Sequence, residues 1–122
     1  MPTKEQLLTF CSYRIEDQYS IFICGNQIIH PPAMYLAGPF ASNGRAGVAF
    51  LKVKLSQAKG DLTIHNIIFL LREISIQETY DVRGDNDLMR LMANSIARIK
   101  NEDWRRISRE MVNQIKGVRE NP

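Results

Sequence analysis

Tyr19-Ser20-Ile21-Phe22-Ile23-Cys24-Gly25-Asn26-Gln27-Ile28-Ile29-His30 is the stretch on which the fold class turns. Its first six residues are dense in β-branched and aromatic side chains, which suit a pleated, half-buried surface. Gly25-Asn26 follows, and glycine at the first central position fits a type II′ turn. Gln27 to His30 then reads as a returning strand. Pro31-Pro32 must end it, because neither proline can donate to a ladder. On this reading residues 19–30 form a hairpin and the chain contains a sheet.

A second stretch supports the same class. Ala49, Leu51, Val53 and Leu55 alternate with Phe50, Lys52 and Lys54, the period-2 signature of a strand with one wet face. Lysines on that face also discourage edge-to-edge pairing. The intervening Pro31–Gly47 segment holds three prolines and three glycines, which predicts a long loop with one helical turn at Ala33 to Ala37. Upstream, Thr3 and Gln6 form a capping-box pattern. Leu7, Leu8, Phe10 and Cys11 add a stripe that predicts a first helix over Lys4 to Tyr13.

Beyond the Ala58–Asp61 turn the period changes. Ile64, Ile67, Ile68, Leu71 and Ile74 recur at three and four, predicting a helix from Leu62 to Glu78 that Asp61 or Thr63 caps. Tyr80 to Asn86 is a polar break. Asp85, Asn86 or Asp87 then caps a helix with the stripe Leu88, Leu91, Met92, Ile96 and Ile99. Asn101 caps another, with Glu102 and Asp103 at the positive end of its dipole. Its stripe is Trp104, Ile107, Met111, Ile115 and Val118, and Gly117 is its stop. The expected architecture is α+β in a single domain over residues 1–122: a small antiparallel sheet of two to three strands, an N-terminal helix and a C-terminal three-helix segment. The all-α alternative requires Tyr19–Ile29 and Val48–Leu55 to be helical against their local preference.

Composition narrows the function classes. Apolar residues are 44% of the 122 and charged residues 24%, an ordinary globular balance that can bury one core. Cys11 and Cys24 are too few for a disulfide framework and sit among apolar neighbours, so both read as buried free thiols. The first residues lack the basic start and long apolar core of a signal peptide, and no apolar run approaches the ~20 residues of a membrane span. A cytoplasmic protein without a membrane partner is expected.

No chemistry-bearing motif holds together in the sequence. His30, His65, Cys11 and Cys24 match no zinc spacing, so neither metal nor cofactor is expected. Asp61 and His65 share a helical face, yet no nucleophile accompanies them, and cap plus core histidine is the better reading. Gly38 to Arg45 departs from a phosphate loop on three counts. One residue too many separates the glycines, Arg45 replaces lysine, and Ala46 stands where a hydroxyl should hold magnesium. A strand is also expected after it, where an anion site needs a helix N-terminus. Arg83-Gly84-Asp85 matches the integrin tripeptide but reads as a turn glycine before a helix cap.

Charge is the remaining signal. Arg83 to Arg119 carries nine Lys or Arg against five Asp or Glu, while the other residues carry seven against eight. The net charge of +3 therefore concentrates on the last two helices. Arg90, Arg98 and Lys100 decorate one of them, and Arg105, Arg106, Arg109, Asn113 and Lys116 flank the apolar stripe of the other. Such a surface suits a partner. The expectation is a small non-catalytic interaction or regulatory module that binds a protein, including a second copy as a homodimer. The alternative is a DNA- or RNA-binding protein that uses these helices as a helix–turn–helix.

Overall fold

The computed structural model describes residues 9–28 and 36–117, with the backbone alone over 24–28. Every regular element among these residues is helical. A helical end at 9–12 is followed by α1 (Ile15–Ile28), α2 (Ala37–Ala41), α3 (Gly44–Gln57), α4 (Asp61–Gln77), α5 (Asn86–Ala97) and α6 (Glu102–Lys116). No strand occurs among the described residues, so the expected α+β class and its antiparallel sheet are overturned. The protein is helical.

The expected hairpin fails because a helical period lies beneath its β-branched residues. Ile15, Gln18, Tyr19, Phe22 and Ile23 recur at three and four, and that side of α1 turns inward, with Phe22 fully buried. Glu16 and Asp17 occupy the first turn, where acids favour the positive end of the helix dipole. Gly25-Asn26 lies inside the helix and makes no turn. Glycine there costs about 1 kcal/mol against alanine, which tertiary packing overrides. Ile29, His30, Pro31, Pro32 and most of the Ala33–Ala37 turn lie outside the described residues. Of the expected Lys4–Tyr13 helix, residues 9–12 are helical and 4–8 lie outside as well. Cys11 is exposed, contrary to its reading as a buried thiol.

The second expected strand is α3. Leu51 and Leu55 satisfy both a period of two and a period near 3.6, so they decide nothing. Val48 decides, because it is 2% exposed while Val53 is 54% exposed. The inward set is Gly44, Gly47, Val48, Leu51 and Leu55, one helical stripe. Two contacts fasten α3 to α1: the Tyr19 and Phe50 rings meet edge-on at 5.3 Å, and Asn43 Nδ2 donates to the buried Gln18 Oε1 at 2.8 Å. The expected Pro31–Gly47 loop contains α2, whose Phe40 and Ala41 are fully buried. Gly44 opens α3 at φ +53°, a region that disfavours a side chain. A Cβ there would also sit 2.9 Å from the Thr79 carbonyl oxygen.

α4 lies at the centre. Ile64, Ile67, Ile68, Leu70, Leu71 and Ile74 are all fully buried, and α2, α3, α5 and α6 each pack against it. Its helical spacing and its end at Glu78, which adopts a left-handed φ of 57°, agree with the sequence reading. α6 makes the most extensive contact with α4. The pairs Asp61 with Asn101, His65 with Trp104 and Arg72 with Gln114 advance together along both helices, so the two run parallel. α5 returns the chain between them.

Helix and strand readings of α3 predict opposite mutational outcomes. Val48→Ala should destabilise by about 2 kcal/mol, as expected for methyl groups removed from a packed core. Val53→Ala should change stability by no more than about 0.5 kcal/mol, since an exposed helical alanine is well tolerated. Urea denaturation of the two variants checks this, and the reverse ranking would restore the strand.

Candidate functional site

The last two helices are positioned by polar locks at their ends. Asp85 caps α5 by accepting from Leu88 N at 3.0 Å, while its other oxygen meets Lys52 Nζ at 2.7 Å and the Tyr80 hydroxyl at 2.7 Å. Burial alone would raise this carboxyl, but Lys52, the Leu88 amide and Tyr80 together outweigh it and hold it at about 2. The same contact raises Lys52. Asn101 caps α6 by accepting from Trp104 N at 3.0 Å. Asp61, expected to cap its own helix, instead receives the Lys100 and Asn101 backbone N–H groups at 3.0 and 2.9 Å. Those two amides lower its carboxyl below the usual range. Gly117 ends α6 at φ +77°, as its position predicts.

The eight basic-face residues named from sequence do not form one surface. Arg98 turns back across 43 residues, its guanidinium donating to the Leu55 carbonyl at 3.1 Å and the Ala58 carbonyl at 3.2 Å, where it closes the C-terminus of α3. Arg105 donates through Nε to the Ile99 carbonyl at 3.1 Å and fixes the α5–α6 junction. Both guanidinium groups are engaged by backbone carbonyls of the same chain, Arg105 half-buried and Arg98 at the surface. Arg90 lies 3.6 Å from Asp87, and Arg106 lies 3.7 Å from Asp103 and 3.6 Å from Glu110, all in exposed pairs that are weak individually. Lys100 is exposed beside the junction. Trp104 turns inward, its ring 4.7 Å from that of His65.

Arg109, Asn113 and Lys116 are brought together. They rise at four and three along α6 and, with Val112, face Ala93, Ile96 and Ala97 of α5 across an open groove of about 330 Å³. Ile96 and Val112 form its buried apolar floor. Ala93 and Ala97 give it a low wall, and Arg109 and Lys116 stand on its rim. Neither cation has an ion-pair partner among the described residues. Ala93, Ile96, Ala97 and Val112 were not named as site residues from the sequence. Their signal there is two alanines, four apart, alongside the apolar stripe of α5.

The other motifs resolve into architecture. His65 is buried, lies 3.0 Å from Asn66 Oδ1 through Nδ1, and is pushed down in pKa by that burial. Asp61 is engaged elsewhere, so the two make no catalytic pair. The segment from Gly38 does lead into a helix, which removes one objection to a phosphate loop; the spacing, Arg45 and Ala46 still depart from the pattern, and Thr79 takes the space beside Gly44. In Arg83-Gly84-Asp85 the carboxylate belongs to the Lys52–Tyr80 lock. A Cβ on Gly84 would collide with the Asp81 carboxylate, which accepts from the Gly84 amide at 3.0 Å. Among the described residues no cluster of three or more His, Cys, Asp or Glu is placed to hold a metal ion, and no helix is long and apolar enough to cross a membrane. Compared with known families, with curated proteins and with solved structures, the chain finds no match.

The two classes of arginine should separate on substitution. Arg98→Ala should lose about 1 kcal/mol, because the Ala58 carbonyl loses the guanidinium donor and the Leu55 carbonyl keeps only the Ala58 amide, whereas Arg109→Ala should stay within about 0.5 kcal/mol. Thermal denaturation of the two variants checks the ranking.

Asp85→Asn keeps an acceptor at the cap and removes the charge, so at neutral pH it should cost about 1–2 kcal/mol. The folded carboxyl lies below its ordinary value of 3.8, so its contribution is complete above 3.8 and fades as pH falls towards about 2. Denaturation midpoints of the two proteins should therefore converge across that window. A gap at pH 2 as wide as that at neutral pH would refute the assignment.

Proposed function

We propose that this chain is a non-catalytic protein-interaction module whose docking site is the groove between α5 and α6, occupied by a segment of a partner protein. One observation carries the reading: an apolar floor of Ile96 and Val112 lies open beside two cations, Arg109 and Lys116, that no described carboxylate engages. An apolar centre inside a polar rim is the usual anatomy of a protein interface. The groove volume, about 330 Å³, lies at the low end of ligand clefts, which favours side chains of a partner over a whole small molecule.

The nucleic-acid reading draws less support. Arg98 and Arg105 are engaged with backbone carbonyls, and Glu102, Asp103 and Glu110 share α6 with the remaining arginines, where they would repel phosphate. A cytoplasmic setting belongs to the same proposal, since an exposed thiol such as Cys11 stays reduced there.

A photo-crosslinking residue at Ala97, with a matched one at the exposed Ala49 of α3 as control, tests this in native lysate. Discrete adducts sensitive to protease are expected at position 97 and absent at 49. Nuclease-sensitive adducts, or equal labelling at both positions, would reject the proposal.

A further inference from the structure

We infer that the groove takes an acidic amphipathic helix, one that carries two carboxylates seven residues apart with apolar side chains between them. This rests on the docking reading above and adds the partner's charge and conformation.

The charge follows from which groups are already matched. Arg106 lies between Asp103 and Glu110, Arg90 is beside Asp87, and Lys52 holds Asp85. Those contacts take up the carboxylates of α5 and α6 except Glu102, which with Asp103 and Arg109 lines a separate opening at the start of α6. None of the residues lining the groove is acidic, and two of them, Arg109 and Lys116, are cationic. An occupant therefore meets an apolar strip flanked by positive charge, and carboxylates are what complement it.

The conformation follows from spacing. Arg109 and Lys116 are seven residues apart on one helix, so their Cα atoms are separated by about 10 Å along its axis. A helix lying alongside α6 repeats one face at that same interval, placing residues i and i+7 opposite the two cations and i+3 or i+4 over Ile96 and Val112. An extended strand covers about 10 Å in three residues, and residues three apart point to opposite sides. A strand therefore cannot present both carboxylates and keep an apolar residue inward. Ala93 and Ala97, four apart on the facing wall, leave room for the close approach that packed helices require.

Three helix-stabilised 15-residue peptides with the same leucine stripe test this by fluorescence anisotropy against the full chain. They carry Glu, Gln or Lys at the i and i+7 positions. The Glu peptide should bind about tenfold tighter than the Gln peptide, and the preference should shrink as salt is raised. It should disappear in Arg109→Glu/Lys116→Glu, whose fold is checked by its unchanged thermal midpoint, and Ala97→Arg should block all three peptides. Equal or tighter binding of the Lys peptide overturns the inference, as does a Glu preference that survives the double reversal. Binding of Glu and Gln peptides with equal affinity, blocked by Ala97→Arg, overturns the acidic partner while leaving the docking reading intact. Failure of every peptide to bind also overturns it; crosslinking at Ala97 then judges the docking reading separately. Light scattering supplies one more arm: a dimer that Arg109→Glu/Lys116→Glu dissociates assigns the groove to a second copy and overturns the inference.

Discussion

α4 has no wet face wide enough to let it stand at the surface. Ile64, Ile67, Ile68, Leu71 and Ile74 form one fully buried stripe with Leu70 at its edge, each worth roughly 1.5–3 kcal/mol relative to exposure, and His65 and Asn66 are buried on the other side. A helix buried on both its apolar stripe and the opposite side has to be surrounded. α2, α3, α5 and α6 do this, each contributing a stripe of its own. Several polar groups of α4 are accommodated individually, although Asn66 Nδ2 and Arg72 Nε are buried without a hydrogen-bond partner among the described residues. His65 and Asn66 contact each other inside, Asp61 reaches the α6 junction from one end, and Gln77 donates to the Gly38 carbonyl at 2.9 Å from the other. The central helix thus sets both the number of its neighbours and the ends at which they are tied.

That constraint explains what the sequence makes legible. α4, α5 and α6 are long, and their apolar positions fit the helical period and no other, so their stripes and the Asp85, Asn101 and Gly117 boundaries can be read directly. α1 and α3 are ambiguous in kind. Phe22 and Ile23 sit in a β-branched run, and in α3 Leu51 and Leu55 obey both periods. Burial of Val48 in place of Val53 is a tertiary outcome, set by which face meets α4 and α1. Local preference for a strand lost to the need of a buried helix for covering helices.

The candidate site was legible as a composition and illegible as a surface. A surplus of Lys and Arg over Asp and Glu in residues 83–119 is plain in the sequence, but which cations are engaged depends on backbone geometry. The acceptors for Arg98 are carbonyls of α3 and the loop after it, and the acceptor for Arg105 is the carbonyl of Ile99. No charge pattern marks a carbonyl. Asp85 is similar: its place before a helix announces a cap, while Lys52, 33 residues away in sequence, is brought to it by the packing of α3 against α5.

Fixing α6 at both ends gives its lateral stripe a defined direction. At its start, Asn101 caps the first turn, Asp61 holds the two preceding backbone amides, and Arg105 returns to Ile99. Near its end, Gln114 accepts from Arg72 at 2.8 Å, and Gly117 closes the helix in the left-handed region. Met111, Val112 and Ile115 bury the inner face between these points. The helix has little freedom to roll without breaking one of those contacts, so Arg109, Asn113 and Lys116 keep their orientation towards the groove. On the proposed docking reading, a backbone held this way would cost little to order, and the cost on this side would fall on the free Arg109 and Lys116 side chains. On the same reading, Arg98 and Arg105 would help set the shape of the groove although neither lines it. By holding the backbone they free their neighbours to face outward.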